Sequence, residues 1–267
     1  MTFVRKVQPC SEERKEVIKA NYENLLHEIE VTCDEAGIPA DKRPKLLVIS
    51  KTWPDSEVQA LIDLGVQHFG ENRVQELTKR LKVFPSVDWQ MVGNLQRNKV
   101  KMLLRNVSLI HSINSWRLLR TVNELALENA VVQPVLIEVN TSQEPSKYGF
   151  DPRDLLRDLG DLAKFPGISF HGLMTMAPLT EDEEVIRKSF RDLRELKDKI
   201  LEANVLREPE KFTELSMGMS HDYKIAIQEG ATILRIGTQI FGGRPSTQEA
   251  EEEAAQEASQ EASQEDC

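Results

Sequence analysis

The 267-residue chain is 40% hydrophobic and carries three scattered cysteines, Cys10, Cys33 and Cys267; it can build a core, which excludes collagen-like, disulfide-scaffold and wholly disordered architectures. It has no run of 18 apolar residues, and its start, MTFVRKVQPCSEERKE, lacks the apolar stretch of a secretory signal, so a soluble protein of a reducing compartment is expected. The formal charge is −10, but residues 248–267 hold eight carboxylates and no Lys or Arg, so the remainder is close to neutral and has no global field for nucleic acid or an anionic membrane.

In chain order, a short extension (residues 1–10) precedes a helix expected from about Ser11 to Val31, with Ile18, Leu25, Leu26 and Ile29 on one face. Eight apolar strand segments follow: KLLVISKT from Lys45, HFGEN from His68, DWQMVGN from Asp88, LIHSIN from Leu109, VQPVLIEVN from Val132, ISFHGLMTM from Ile168, FTELSMG from Phe212 and ILRIGTQIF from Ile233. Helical spacing separates them, as in Val74, Leu77 and Leu81 after the second and Ile186, Phe190, Leu193 and Ile200 after the sixth. Thr180 and Glu183 suit a capping box for the latter helix, and Gly65 and Gly230 stand where a C′ glycine would end one. Residues 248–267, with repeated QEAS and no aromatic or β-branched side chain, read as a disordered acidic tail.

Strands alternating with crossover helices pair in parallel, and eight such units in about 200 residues is the size at which the sheet closes on itself. The expected fold is therefore α/β, a (β/α)8 TIM barrel over residues 11–247. An open doubly wound sheet would want a glycine fingerprint after its first strand, and KLLVISKTWPDS has none.

Barrel chemistry sits at the C-terminal strand ends, and unusual residues collect there. Lys51 follows the apolar run Leu46 to Ile49. It reads either as a surface lysine or as a desolvated amine competent to form an imine. Ser216 in LSMGMS and Gly237 and Thr238 in RIGTQ close the seventh and eighth strands, where barrels bind phosphate; the same glycines would also serve simple turns. A helix opening near Ser220 would add its dipole. An imine-forming lysine and a phosphate cradle across one mouth together describe pyridoxal 5′-phosphate (PLP). Arg235, two residues before Gly237 and so on its face, would then oppose the ring nitrogen or else form a structural ion pair.

The motifs ISKTWP, HFGENRVQE, GNLQRNKVK, VNTSQEPSKYGF, HGLMTM, LSMGMSHD and LRIGTQIFG, over residues 11–243, resemble the pyridoxal phosphate homeostasis proteins, also called the proline synthase co-transcribed bacterial homolog family. The resemblance implies a barrel like the N-terminal domain of alanine racemase (fold type III) that binds PLP without catalytic turnover and keeps it available. It implies Lys51 as the Schiff-base lysine, Ser216, Gly237 and Thr238 as phosphate ligands, Arg235 at the ring nitrogen and Asn72 at the phenolic oxygen. Met174 and His171, at the end of the sixth strand, read either as packed against the cofactor or as filling the barrel top, with packing on the cofactor preferred for Met174. Lys147 is a candidate second amine or a solvated loop lysine, and Arg97, Lys99 and Lys101 a partner surface or a solvated helix face. No histidine spacing suits a metal. The alternative function is a PLP-dependent racemase or decarboxylase, against which stands the short sequence after Phe241, with no room for the racemases' C-terminal β-domain. A monomer in the cytoplasm, with the mitochondrion as the alternative and PLP-dependent apoenzymes as candidate recipients, completes the expectation.

Overall fold

The computed structural model describes residues 7–142 and 148–243. A long helix α1 (Glu12–Glu35) leads into eight parallel strands: β1 (Lys45–Ile49), β2 (His68–Glu71), β3 (Asp88–Met91), β4 (Leu109–Ile113), β5 (Gln133–Glu138), β6 (Ile168–Met174), β7 (Glu214–Ser216) and β8 (Ile233–Ile236). Each strand pairs with its sequence neighbour and β1 closes on β8, from Lys45 beside Ile233 to Val48 beside Ile236. The expected (β/α)8 barrel is what the chain forms.

The helices between strands are α2 (Asp55–Asp63), α3 (Val74–Val83), α4 (Trp116–Glu128), α5 (Pro152–Arg157), α6 (Glu183–Glu202) and α7 (Tyr223–Gln228), with a last turn α8 (Thr238–Phe241). The β3 to β4 crossover is a 3₁₀ turn, Arg97–Met102, rather than an α-helix. Gly65 and Gly230 follow α2 and α7 at φ of 90° and 91°, the left-handed region in which a C′ glycine carries no Cβ clash.

Two-residue alternation splits the core. Val48, Ile137, Leu173, Leu215, Leu234 and Ile236 point outward into the layer under the helices. Leu47, Ile49, Leu109, Leu136, Met174 and Ile233 form a smaller apolar cluster inside the barrel. The intervening inward positions include the buried polar residues His111, Glu138, Ser216 and Arg235.

Three local readings are corrected. Helix α1 runs four residues further than expected and buries Ile18, Leu25, Ile29 and Cys33, whereas Leu26 is exposed, because 3.6 residues per turn carries it off the buried stripe. The cap of α6 is Asp182, whose carboxylate accepts from the Glu184 and Val185 N–H groups; Thr180 instead accepts from Asp182 N–H. The eighth strand stops at Ile236, and TQIF turns helical as α8. The expected acidic tail and Cys267 lie outside the described residues.

Candidate cofactor site at the barrel mouth

A cavity of about 350 Å³ opens at the C-terminal ends of the strands, and Lys51, Asn72, Met174, Arg235, Gly237 and Thr238 all line it. The topology thus brings together six of the seven residues picked out from sequence.

Lys51 leaves β1 just past Ile49 and Ser50. Ser50 is fully buried and donates to Glu71 Oε1 at 2.8 Å, tying the end of β1 to β2. Thr52, at φ 70°, turns the chain sharply after the lysine. Trp53 then lines the cavity wall and stacks on Phe241 with ring centroids 5.1 Å apart. Asn72 is set by Glu71, whose Oε2 accepts from the Asn72 N–H at 3.2 Å. Burial pushes the Glu71 carboxyl up, against the lowering effects of the Ser50 hydroxyl, Arg80 and that N–H. The loop after β3 can lie against this turn because residue 93 is glycine: a Cβ there would stand 2.2 Å from the Asn72 carbonyl oxygen.

On the other side of Lys51, away from Asn72, Gly237 begins the turn into α8. A Cβ at Gly237 would meet the Ile49 carbonyl oxygen at 2.6 Å, so glycine lets the end of β8 close onto β1 beside Lys51. After β7, Met219 N–H donates to Asp222 Oδ1 at 2.5 Å and fixes a loop whose Ser220 faces the cavity. Helix α7 opens at Tyr223, three residues later than read from sequence.

The floor is polar. Arg235 is 4% exposed; its Nη1 donates to Ser216 Oγ at 2.7 Å and its Nη2 to the Thr175 carbonyl at 2.9 Å. Burial lowers its pKa to about 10, while the charges of Asp222 and Glu138 oppose that fall, so it stays a cation at neutral pH. Glu138, 4% exposed, also lines the floor. Burial raises its pKa to about 7 despite the charge of Arg235 and a hydrogen bond from Asn114, and among the described residues its Oε2 has no hydrogen-bond partner.

Several sequence readings change. Ser216 is fully buried beneath the floor, its Oγ engaged by Arg235 and by His111 Nδ1 at 2.9 Å, and it is absent from the cavity lining; the hydroxyl that the β7 loop presents is Ser220. The cause is the short strand: β7 ends at Ser216 itself, so this residue still points into the lumen. His171 lines a different cleft with Lys45, His68 and Asp88 from the starts of strands, at the far end of the barrel, and neither fills the mouth nor faces the cavity. Arg97 and Lys101 are exposed on the 3₁₀ turn around the buried Val100. Lys147 lies outside the described residues. Sequence reasoning missed Trp53, Ser220 and Glu138; only Glu138 carried a legible signal, as an acid inside the apolar run VLIEVN. Among the described residues no cluster is arranged to hold a metal ion, and no helix is long and apolar enough to cross a membrane.

Comparison with known proteins matches the same scaffold. The alanine racemase N-terminal domain model matches residues 44–245. The pyridoxal phosphate homeostasis protein of Aquifex aeolicus is 42% identical over 223 residues, 82% of this chain and 95% of that protein; the protein of that name from Bos taurus is 33% identical over 222 residues, 79% and 81%. Among solved structures, PipY of Synechococcus elongatus with PLP bound is 32% identical with a TM-score of 0.71, covering 84% of this chain and all of that one. A Clostridium difficile alanine racemase, 17% identical at a TM-score of 0.65, covers 88% of this chain and 57% of its own, and shares the fold. On the match of the domain and of these relatives over most of its length, the chain belongs to the pyridoxal phosphate homeostasis protein family.

Proposed function

We propose that this chain binds PLP covalently through an imine on Lys51 and serves intracellular PLP homeostasis as a carrier without catalytic turnover. The observation that carries this reading is a mouth cavity that collects Lys51, Asn72, Arg235, Gly237 and Thr238. These residues fit the group. An amine stands on one wall, a glycine turn with a threonine and Ser220 offers a cradle for a phosphate, and a cationic donor lies in the floor.

Bound PLP supplies an aldehyde that condenses with amines. Lys51 would be the amine that holds it, its Nζ replacing the aldehyde oxygen with loss of water. Asn72 offers an amide to the phenolic oxygen, Met174 and Trp53 give apolar contact to the ring, and Ser220 and Thr238 offer hydroxyl and backbone donors to the phosphate. Arg235 keeps its proton at neutral pH, and facing the ring nitrogen it would leave that nitrogen unprotonated and mute the cofactor's electron-withdrawing power. That is the physical ground for preferring a carrier to a racemase or decarboxylase. The Synechococcus relative solved with PLP supports the ligand, and the family name supports the homeostatic role. Action as a monomer in the cytoplasm, handing PLP to apoenzymes, belongs to the same proposal.

The test is direct. Purified protein with PLP should absorb near ~420 nm, and borohydride reduction followed by peptide mass mapping should place the adduct on Lys51. An adduct found only at other lysines would overturn the assignment.

A further inference from the structure

A chain of polar side chains crosses the barrel lumen from the cavity floor to the opposite rim. Arg235 Nη1 lies 2.7 Å from Ser216 Oγ, Ser216 Oγ 2.9 Å from His111 Nδ1, and His111 Nε2 2.8 Å from Gln90 Oε1. Gln90 Nε2 in turn lies 2.9 Å from Asp88 Oδ2. Asp88 is the first residue of β3, in the cleft at the N-terminal end of the barrel, where His68 Nδ1 also meets its Oδ2 at 2.7 Å. Four strands, β8, β7, β4 and β3, each contribute to this chain, and its middle members His111 and Ser216 are fully buried.

The two ends decide where every proton sits. A guanidinium can only donate and an ionised carboxylate can only accept. Ser216 therefore accepts from Arg235 and gives its own hydrogen to His111 Nδ1. His111 carries its proton on Nε2 and donates to Gln90 Oε1, and Gln90 turns its amide nitrogen to Asp88. Reversing the Gln90 amide would set its oxygen against a carboxylate oxygen. Burial and the charge of Arg235 lower the His111 pKa to about 3, so the ring is neutral and has one proton to place. The Asp88 carboxyl is itself held low: burial raises it, but hydrogen bonds from Ser108, His68 and Gln90 outweigh that. Every link donates towards Asp88.

We propose that Asp88, Gln90, His111 and Ser216 are positioning residues for Arg235, a proton-ordered chain anchored at one rim of the barrel that aims the guanidinium in the cavity floor at the other. The bonded partners of Nη1 and Nη2, the Ser216 hydroxyl and the Thr175 carbonyl, are neutral, so the direction of the guanidinium depends on how firmly those partners are themselves held. Its effect on ligand binding rests on the PLP reading above; the proton order does not.

Asp88→Ala removes the terminal acceptor, whereas Lys45→Ala alters the same rim outside the chain. In ligand-free full-length protein, ¹⁵N-histidine NMR should show His111 protonated on Nε2 in wild type and Lys45→Ala, and a mixture with the Nδ1 form in Asp88→Ala. With PLP, Asp88→Ala should shift the absorption maximum and weaken binding about fivefold, the worth of one hydrogen bond, while Lys45→Ala matches wild type. A wild-type tautomer in Asp88→Ala, or a Lys45→Ala variant as impaired as Asp88→Ala, overturns the proposal. If Asp88→Ala does not fold, Gln90→Met cuts the chain one link higher with the same expected readouts. If wild type itself does not bind PLP, the carrier reading fails, and the tautomer measurement alone decides the chain.

Discussion

Two serines near the end of β7 separate function from support. Ser220 lines the cavity, whereas Ser216 lies beneath it between Arg235 and His111. Ser220→Ala should therefore weaken PLP while leaving pyridoxal, which lacks the phosphate, nearly unchanged; equal losses for both ligands in a titration would remove Ser220 from the phosphate cradle. Ser216→Ala leaves a buried donor and acceptor unsatisfied and should cost about 1–3 kcal/mol in denaturant unfolding. Glu138 makes a pH prediction. Its pKa is raised from 4.5 to about 7, so the folded state holds a proton that the unfolded chain has released, and stability falls as pH rises from about 4.5 to 7. His111, lowered from 6.5 to about 3, acts oppositely, stabilising the fold as pH rises through that range. The Glu138 effect is therefore read as a difference: Glu138→Gln should gain on wild type between pH 5 and 7.5, by at most about 3 kcal/mol. Melting curves that stay parallel across that range would show that Glu138 is not the titrating group. Burial gives a structural reason for the raised value, and among the described residues an ionised Oε2 finds no donor to replace water.

At the level of elements, α1 is more than an appendage to the barrel. Arg14 donates to Glu57 Oε1 and Oε2 of α2 at 3.1 and 2.8 Å and to the Phe241 carbonyl of α8 at 2.6 Å, and its guanidinium lies 5.5 Å from the centre of the Trp53 ring. Asn21 adds a bond to the Ile240 carbonyl at 3.1 Å. The helix therefore caps the Ile240 and Phe241 carbonyls at the end of α8 and backs the Trp53 wall of the cavity. Arg14→Ala should lower stability by about 1–2 kcal/mol and loosen α8, with faster PLP release measured after dilution; an unchanged release rate would confine Arg14 to stability. Ile18→Ala, at a fully buried site, should cost about 2–5 kcal/mol in the same unfolding experiment. The existence of α1, its start at Ser11 and most of its buried stripe were legible because apolar residues recur at helical spacing behind an N-cap serine. The clamp was not legible, because Arg14 and Phe241 are 227 residues apart and nothing local to either names the other.

For the whole molecule, the barrel sets one end for chemistry and leaves the other for support. An Arg235 that is cationic at neutral pH in the floor predicts that loaded protein will not exchange the α-proton of amino acids at a useful rate. Incubation with L-alanine in deuterium oxide at high protein concentration should show no multiple-turnover exchange over hours. Exchange that Lys51→Ala abolishes would restore the racemase alternative. Cavity and polar chain meet only because the sheet closes: β1 pairs with β8, which sets Lys51 beside Gly237, while β3, β4 and β7 present Gln90, His111 and Ser216 to one lumen.

Periodicity and turn chemistry are properties of contiguous residues, so the sequence alone determined the eight strands and the closed barrel and put Lys51, Met174, Arg235, Gly237 and Thr238 near the strand ends, where the structure lines one cavity with them; Asn72 entered through the family resemblance and lines the same cavity. Tertiary structure decided the rest. Whether the serine after Leu215 faces ligand or lumen depends on where β7 stops, and whether His171 sits near the mouth or the far rim depends on its height along β6. Glu138 beneath the cavity, the Arg14 clamp and the order of protons from Arg235 to Asp88 depend on side chains from distant strands arriving within hydrogen-bond reach. Those arrivals are fixed by register and closure, long-range quantities that no window of the sequence contains.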